Sequence, residues 1–259
     1  MKDIIEEILL QVGPRAAQAV PIEVCIGAHW TFVAMDTQGA TCGGIASTLS
    51  GGSQHHHGGG PPVRDAGRLL DCSAYELASM ATHDSLLEAS VGLAAINALL
   101  DVDDAACVEV NAADVIAERG AGRKVAIVGH FPFVPQLREV AAPLWILELQ
   151  PGAGDLPAAM APEILPQADV VALTGTSLLN KTFDELISFC RPDAYVVVLG
   201  ATTPLSSAFF AVGVDAVSGT RIVDPRTAML AVTQGATFRQ IPGKRLLTMF
   251  KTRSPVPSR

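Results

Sequence analysis

Every long apolar stretch of this chain is cut by Gly, Asp or Pro well short of the ~18–20 residues that a membrane span needs. The N-terminus, Met1-Lys2-Asp3-Ile4-Ile5-Glu6-Glu7, is acidic and amphipathic, unlike a secretory signal. No two cysteines form a CxxC pair. The five, at 25, 42, 72, 107 and 190, are scattered and odd in number, which predicts reduced thiols and a cytoplasmic protein. Basic stripes are absent and aromatics make up only 5% of the chain, so nucleic acid is not an expected partner. Gly129-His130-Phe131-Pro132-Phe133 is no GxGxxG turn, and there is no GxxxxGKS/T loop, which argues against the usual NAD and ATP sites. HxxH, HExxH and GxSxG are missing too, so neither a metal site nor a serine nucleophile is written into local spacing.

What the chain has in quantity is apolar side chain. Hydrophobic residues are 49% and charged ones 17% of 259 positions, enough to bury a core in one large domain or two small ones. The formal charge of −8 is uneven. Residues 240–259 carry Lys244, Arg245, Lys251, Arg253 and Arg259 and no acid, leaving −13 on the first 239. That segment reads as a solvated, frayed basic tail.

Ile4, Ile5, Ile8, Leu9 and Val12 recur at helical spacing, with Gly13-Pro14 as the expected stop. Ile22–Ile26, Thr31–Met35 and Cys42–Thr48 read as a three-stranded meander with glycine-bearing turns. Residues 50–62 are a low-complexity loop that includes His55-His56-His57, an imidazole cluster able to bind a divalent ion but, in so glycine-rich a loop, read as incidental. Ser73/Glu76 and Ser85/Glu88 have capping-box spacing, the second opening a long helix through Leu86, Val91, Leu93, Ile96 and Leu99.

From about residue 122 the pattern changes. Lys124–Val128, Leu144–Leu149, Val170–Leu173, Tyr195–Leu199 and Val214–Val217 are short apolar runs separated by plausible helices, the rhythm of a doubly wound parallel sheet. Asp224 and Pro225 are the N-cap and first position of the last helix. The expected division is an α+β front domain with a helical connection over 1–120, a parallel α/β domain over 121–239 and the tail over 240–259.

If those strands are parallel, their carboxyl ends release five loops onto one edge, where open α/β sheets bind ligands. These are Gly129-His130-Phe131-Pro132, Glu148-Leu149-Gln150-Pro151-Gly152, Thr174–Asn180, Gly200-Ala201-Thr202-Thr203-Pro204 and Ser218-Gly219-Thr220-Arg221. Glycines there let backbone approach a ligand, and helix-start amides with Thr hydroxyls suit an anionic group. The third loop runs into Thr182 and Glu185, again at capping-box spacing. His130 and Glu148 end two strands and are candidate ligands of a transition metal, or a base and its orienting carboxylate. His29 is expected to face that edge from the front domain, and His83 to be a cap neighbour. Ser177 and Cys190 have no sequence neighbour that marks a triad.

Five motifs in order resemble one family. They are Gly27-Ala28-His29-Trp30-Thr31, Gly92-Leu93-Ala94-Ala95-Ile96-Asn97-Ala98, Val128-Gly129-His130-Phe131-Pro132, Thr174-Gly175-Thr176-Ser177-Leu178-Leu179-Asn180-Lys181-Thr182 and Leu199-Gly200-Ala201-Thr202-Thr203-Pro204. Together, over roughly residues 5–238, they resemble the heavy-metal chelation family, a domain-of-unknown-function group. The resemblance implies a front domain similar to the N-terminal domain of enolase, a Rossmann-like back domain, and a site in the cleft between them. It does not bring enolase chemistry with it. The chain departs from the family pattern with His130 in place of a Tyr-like aromatic, Lys181 in place of Gly and Ala201 in place of Pro.

The resulting expectation is a metal ion, or a metal on a small organic chelator, bound in the interdomain cleft. Gly27, Trp30 and Thr31 would contribute from the front domain. Gly129, Thr174, Gly175, Thr176, Asn180, Gly200, Thr202, Thr203 and Gly219 would contribute from the strand ends, with His130 and Glu148 the most chemically capable members. The alternatives are a lyase or transferase acting on an anionic metabolite with His130 as base, and a non-catalytic interaction module that assembles as a homo-oligomer.

Overall fold

The computed structural model describes residues 3–49 and 61–251, so the His55-His56-His57 run lies outside the described residues. The chain is a mixed α/β structure built on a three-stranded antiparallel sheet and an eight-stranded, mainly parallel one.

Helix α1 (Ile4–Ala16) starts where the Asp3 carboxylate accepts the Ile5 amide at 2.8 Å, and it buries Ile4, Ile5, Ile8, Leu9 and Val12. It does not stop at Gly13-Pro14. Pro14 lies inside the helix on its exposed side, where the carbonyl deprived of its N–H partner can be hydrated. Strands β1 (Ala19–Ile26), β2 (Trp30–Thr37) and β3 (Ala40–Ser47) form the expected meander. Helix α2 (Ala74–Ser79) opens with the Ser73/Glu76 capping box. Helix α3 (Leu86–Leu99) has only half of the expected box. Ser85 caps the Glu88 amide, but the Glu88 side chain turns inward to Arg64 and His83. Apolar on nearly every side, α3 is buried between the front sheet and the preceding turn. A Cβ on Gly92 would stand 1.8 Å from the Ala81 amide, so this motif glycine serves close packing.

The chain enters the large sheet at β4 (Cys107–Val108), before residue 120, and α4 (Ala112–Gly120) already packs Val115 and Ile116 against that sheet's core. Then follow β5 (Val125–Val128), α5 (Val134–Arg138), β6 (Leu144–Glu148), β7 (Leu156–Pro157), α6 (Ala161–Ile164), β8 (Val170–Thr174), α7 (Phe183–Phe189), β9 (Tyr195–Leu199), α8 (Ala208–Ala211), β10 (Ala216–Ile222), α9 (Pro225–Thr233) and β11 (Lys244–Phe250). The order across the sheet is β4-β11-β10-β9-β8-β5-β6-β7, parallel from β10 to β7. The chain leaves β5 toward β6 on one side and returns to β8 on the other. The β5/β8 boundary is therefore the topological switch point, where strand-end loops diverge and leave a crevice.

Three local expectations fail here. The basic segment is not a frayed tail through residue 250: Lys244–Phe250 pairs antiparallel with β10 along its whole length. Arg245 is tied to Asp104 and Glu109, so acids of the β4 connection absorb its charge. Ser218-Gly219-Thr220-Arg221 is not a loop but the interior of β10, which outruns β9 because β11 continues to pair with it. The Thr182/Glu185 box does not form, because the Thr182 hydroxyl donates to Asn180 Oδ1 at 2.7 Å.

The opposite edge of the sheet is structural. Asp169 Oδ2 accepts the Lys124 amide at 3.0 Å and Asp215 Oδ2 accepts the Val196 amide at 2.9 Å. The Lys124 amide, together with Arg191, holds the Asp169 carboxyl below its usual range.

Candidate functional site

The two sheets meet at the carboxyl edge. Asn97 Nδ2 donates to the Ile45 carbonyl at 2.8 Å and to the Thr202 carbonyl at 3.2 Å. Thr202 Oγ1 accepts the Ser47 amide at 2.9 Å and lies 3.0 Å from Ser47 Oγ, to which it donates. Around this joint two cavities open, one on each side of the switch point.

The larger, about 590 Å³, lies between Trp30 and Ser47 of the front sheet and the ends of β5, β8, β9 and β10. The expected residues Trp30, His130, Thr174, Gly175, Thr176, Gly200, Thr202 and Gly219 line it. The smaller, about 390 Å³, is lined by Gly129, His130, Glu148, Thr174, Thr176 and Asn180, and also by Glu185. His130, Phe131, Thr174 and Thr176 belong to both. The β8 and β9 loops pack tightly at the larger cavity: a Cβ on Gly175 would lie 2.3 Å from Thr203 Oγ1, so only glycine lets them close together.

Three expected residues line neither cavity. Gly27 donates its amide to the Trp30 carbonyl at 3.0 Å, closing the turn that presents Trp30. Thr31 is buried, with its hydroxyl 2.9 Å from that of Thr48. Thr203 is buried beneath Gly175. His29 is exposed and lines neither cavity. Lys181 takes a left-handed backbone, φ +61°, which accounts for glycine as the expected residue there. Its ammonium donates to the Ala81 carbonyl.

His130 has a carboxylate partner, but a different one from Glu148. Its Nδ1 lies 3.2 Å from Asp155 Oδ2, which also accepts the Gly152 amide at 3.1 Å, while Glu148 accepts its neighbour's amide at Leu149. The Asp155 side chain is 4% exposed, and its Oδ1 has no hydrogen-bond partner. His83 is more than a cap neighbour. Its Nδ1 is 2.7 Å from Glu88 Oε2, in a cluster that Arg64 completes.

The donor set does not fit a metal held by protein ligands alone. Among the described residues, no three of His, Cys, Asp and Glu gather closely enough to hold an ion. The thiols stand apart as free cysteines, and burial pushes Cys190 up to about 12 and also raises Cys25, Cys72 and Cys107, disfavouring the thiolate. In the larger cavity the chemistry comes instead from aromatic side chains, hydroxyls and one arginine. Phe131 and Phe133 stack at 5.0 Å, Trp30 and Phe238 meet at 5.4 Å, and Arg239 lines the same cavity.

Of the lining residues, Asn111, Phe238, Arg239, Leu246 and Thr248 were not anticipated, nor was Asp155 behind His130. Only the Thr237/Gln240 box offered a local signal, and it marks a turn rather than a site. No helix of the described residues is long and apolar enough to cross a membrane.

A family model described as "Putative heavy-metal chelation" (DUF364) matches residues 111–251, and a second with the same description (DUF4213) matches residues 11–100. An uncharacterized protein of Methanocaldococcus jannaschii is 25% identical over 241 residues, 89% of each chain. Two crystal structures of DUF364 proteins of unknown function share the fold. That from Desulfitobacterium hafniense has a TM-score of 0.81 at 23% identity and covers 96% of this chain and 99% of its own. That from Pyrococcus horikoshii has a TM-score of 0.82 at 18% identity, with 96% and 100% covered.

Proposed function

The chain belongs to the DUF364 family, described as "Putative heavy-metal chelation", and on that premise we propose that its larger cavity binds a small organic chelator with a metal carried as cargo. One observation carries the reading: a cavity of about 590 Å³, bordered by both halves of the molecule, is lined among the described residues by rings and hydroxyls and not by a set of metal ligands. Such a lining suits the organic part of a complex whose metal is already satisfied by its own donors. Thr174, Thr176 and Asn111 offer hydrogen bonds to that part, and His130 stands where the two cavities meet.

Titration calorimetry tests the proposal with ferric hydroxamate, ferric catecholate and nickel dipicolinate complexes, each against its metal ion alone. At least one complex should bind at one per chain while the bare ion gives no heat attributable to the cavity. Equal binding of the bare ion, or no binding of any complex, would sink it.

A second reading rests on the His130–Asp155 contact. A carboxylate that fixes Nδ1 leaves Nε2 facing the cavities as a general base, as a lyase or transferase acting on an anionic metabolite would need. It predicts turnover that disappears in His130→Gln while thermal unfolding is unchanged.

A further inference from the structure

We infer that the ligand of the larger cavity is a planar aromatic anion, its charge met by Arg239 and its acceptor edge turned toward the wall where Trp30 Nε1 and Thr220 Oγ1 lie. The inference rests on the reading of that cavity as the ligand site and names what enters it.

Charge is the first observation. The chain holds 26 acidic residues and a net charge of −8, yet not one Asp or Glu lines the larger cavity. Among the described residues its one permanent charge is Arg239, which enters none of their ion pairs. The smaller cavity is the reverse, with Glu148 and Glu185 and, among the described residues, no Lys or Arg. A cationic ligand would therefore meet Arg239 uncompensated in the larger cavity, whereas an anion would find its counter-charge. Helix α4 adds to this, because its N-cap Asn111 and first residue Ala112 line the same cavity and bring the positive end of a nine-residue helix to it.

Unanswered donors are the second observation. Thr220 is 8% exposed, lines the cavity, and its hydroxyl has no partner. Its polar neighbours Ser218 Oγ and Thr248 Oγ1 pair with each other at 2.8 Å and make no bond to it. Trp30 Nε1 is likewise buried and unpartnered, and an indole nitrogen only donates. A buried donor without an acceptor is costly unless a ligand completes it. Both atoms sit just under the surface of residues that line the cavity, so a small side-chain shift toward a bound anion would give each an acceptor.

Shape is the third. Aromatics are 5% of the chain, yet two aromatic pairs wall this one cavity, Phe131/Phe133 nearly parallel at 13° and Trp30/Phe238 tilted at 47°. A flat ring gains stacking or edge contact with either wall, which a saturated ring of equal size does not.

The experiment is titration calorimetry of the full chain, without metal, with 2,3-dihydroxybenzoate, cyclohexanecarboxylate and benzamidine. The aryl carboxylate should bind at one per chain, the saturated acid roughly fivefold more weakly, and the aromatic cation not at all. Arg239→Gln, at an exposed position, should weaken the aryl carboxylate on the order of 10–100-fold. Thr220→Val and Trp30→Phe should each weaken it roughly fivefold. Benzamidine binding as tightly as the carboxylate, or unchanged affinity in both Arg239→Gln and Thr220→Val, would overturn the inference. If the neutral, non-aromatic ferric hydroxamate binds and no aryl carboxylate does, the chelator reading stands and this inference fails. If neither binds, both fail.

Discussion

Two buried polar regions of this molecule answer the same physical demand in opposite ways. In the front half, Glu88 is 3% exposed and its carboxylate is fully engaged: the Arg64 amide donates at 2.9 Å, the Arg64 side chain at 3.2 Å, and His83 Nδ1 lies at 2.7 Å. Burial alone would raise the Glu88 carboxyl, but these hydrogen bonds and the Arg64 charge overcome it and hold it below the usual range. In the wall of the larger cavity, Trp30 Nε1 and Thr220 Oγ1 are hidden too and have nothing to bond. A closed network rigidifies the fold it belongs to; open donors beside a cavity leave that completion to a ligand.

The contrast breaks most visibly at Glu88. Glu88→Gln removes the charge that Arg64 and His83 surround and should cost roughly 3 kcal/mol, read as a shift in urea midpoint at unchanged slope. A loss below about 0.5 kcal/mol would mean the cluster is not a structural lock.

The same residue sets a pH signature. Because its folded pKa is depressed, its stabilisation is fully present above the ordinary carboxylate range and is lost as pH falls through the depressed folded value. The stability gap between wild type and Glu88→Gln should therefore be widest at neutral pH and narrow progressively below pH ~4. Parallel curves down to strong acid would contradict the assignment.

Asp155 stands between the two extremes, with one oxygen engaged and the other buried and alone. Asp155→Asn should change stability by about 1 kcal/mol, while nitrogen NMR should show His130 losing its preference for the Nδ1–H tautomer. An unchanged tautomer would remove Asp155 as the orienting group.

The smallest expected effect sharpens the comparison furthest. Thr220→Val deletes an unsatisfied hydroxyl at nearly constant volume, so stability should stay within about 0.5 kcal/mol of wild type or rise slightly. A loss above 1 kcal/mol would show that Thr220 is satisfied within the fold after all.

Where a signal spans a few residues, it was legible. The apolar runs at Val125–Val128, Val170–Thr174 and Tyr195–Leu199 are strands buried on both faces, and Asp224-Pro225 opens α9. Lys244–Phe250 was not legible as a strand, because residues 240–259 with five positive charges and no acid read as solvent-facing and its partner, β10, is set by tertiary pairing. Capping-box spacing at 73/76 held, whereas at 85/88 and 182/185 a stronger partner in the fold took the side chain.

The sequence by itself determined the alternation of strands and helices, the glycine- and threonine-bearing strand ends and hence the edge where a ligand would sit, because hydrophobic periodicity and turn chemistry act over a handful of neighbours. Only the tertiary structure decided which groups that edge brings together. Asp155 behind His130, Phe238 against Trp30, Ser47 on Thr202 and the acid-free lining around Arg239 join positions separated by 25 to more than 200 residues. Such contacts are products of chain closure across the whole molecule, and no local propensity encodes them.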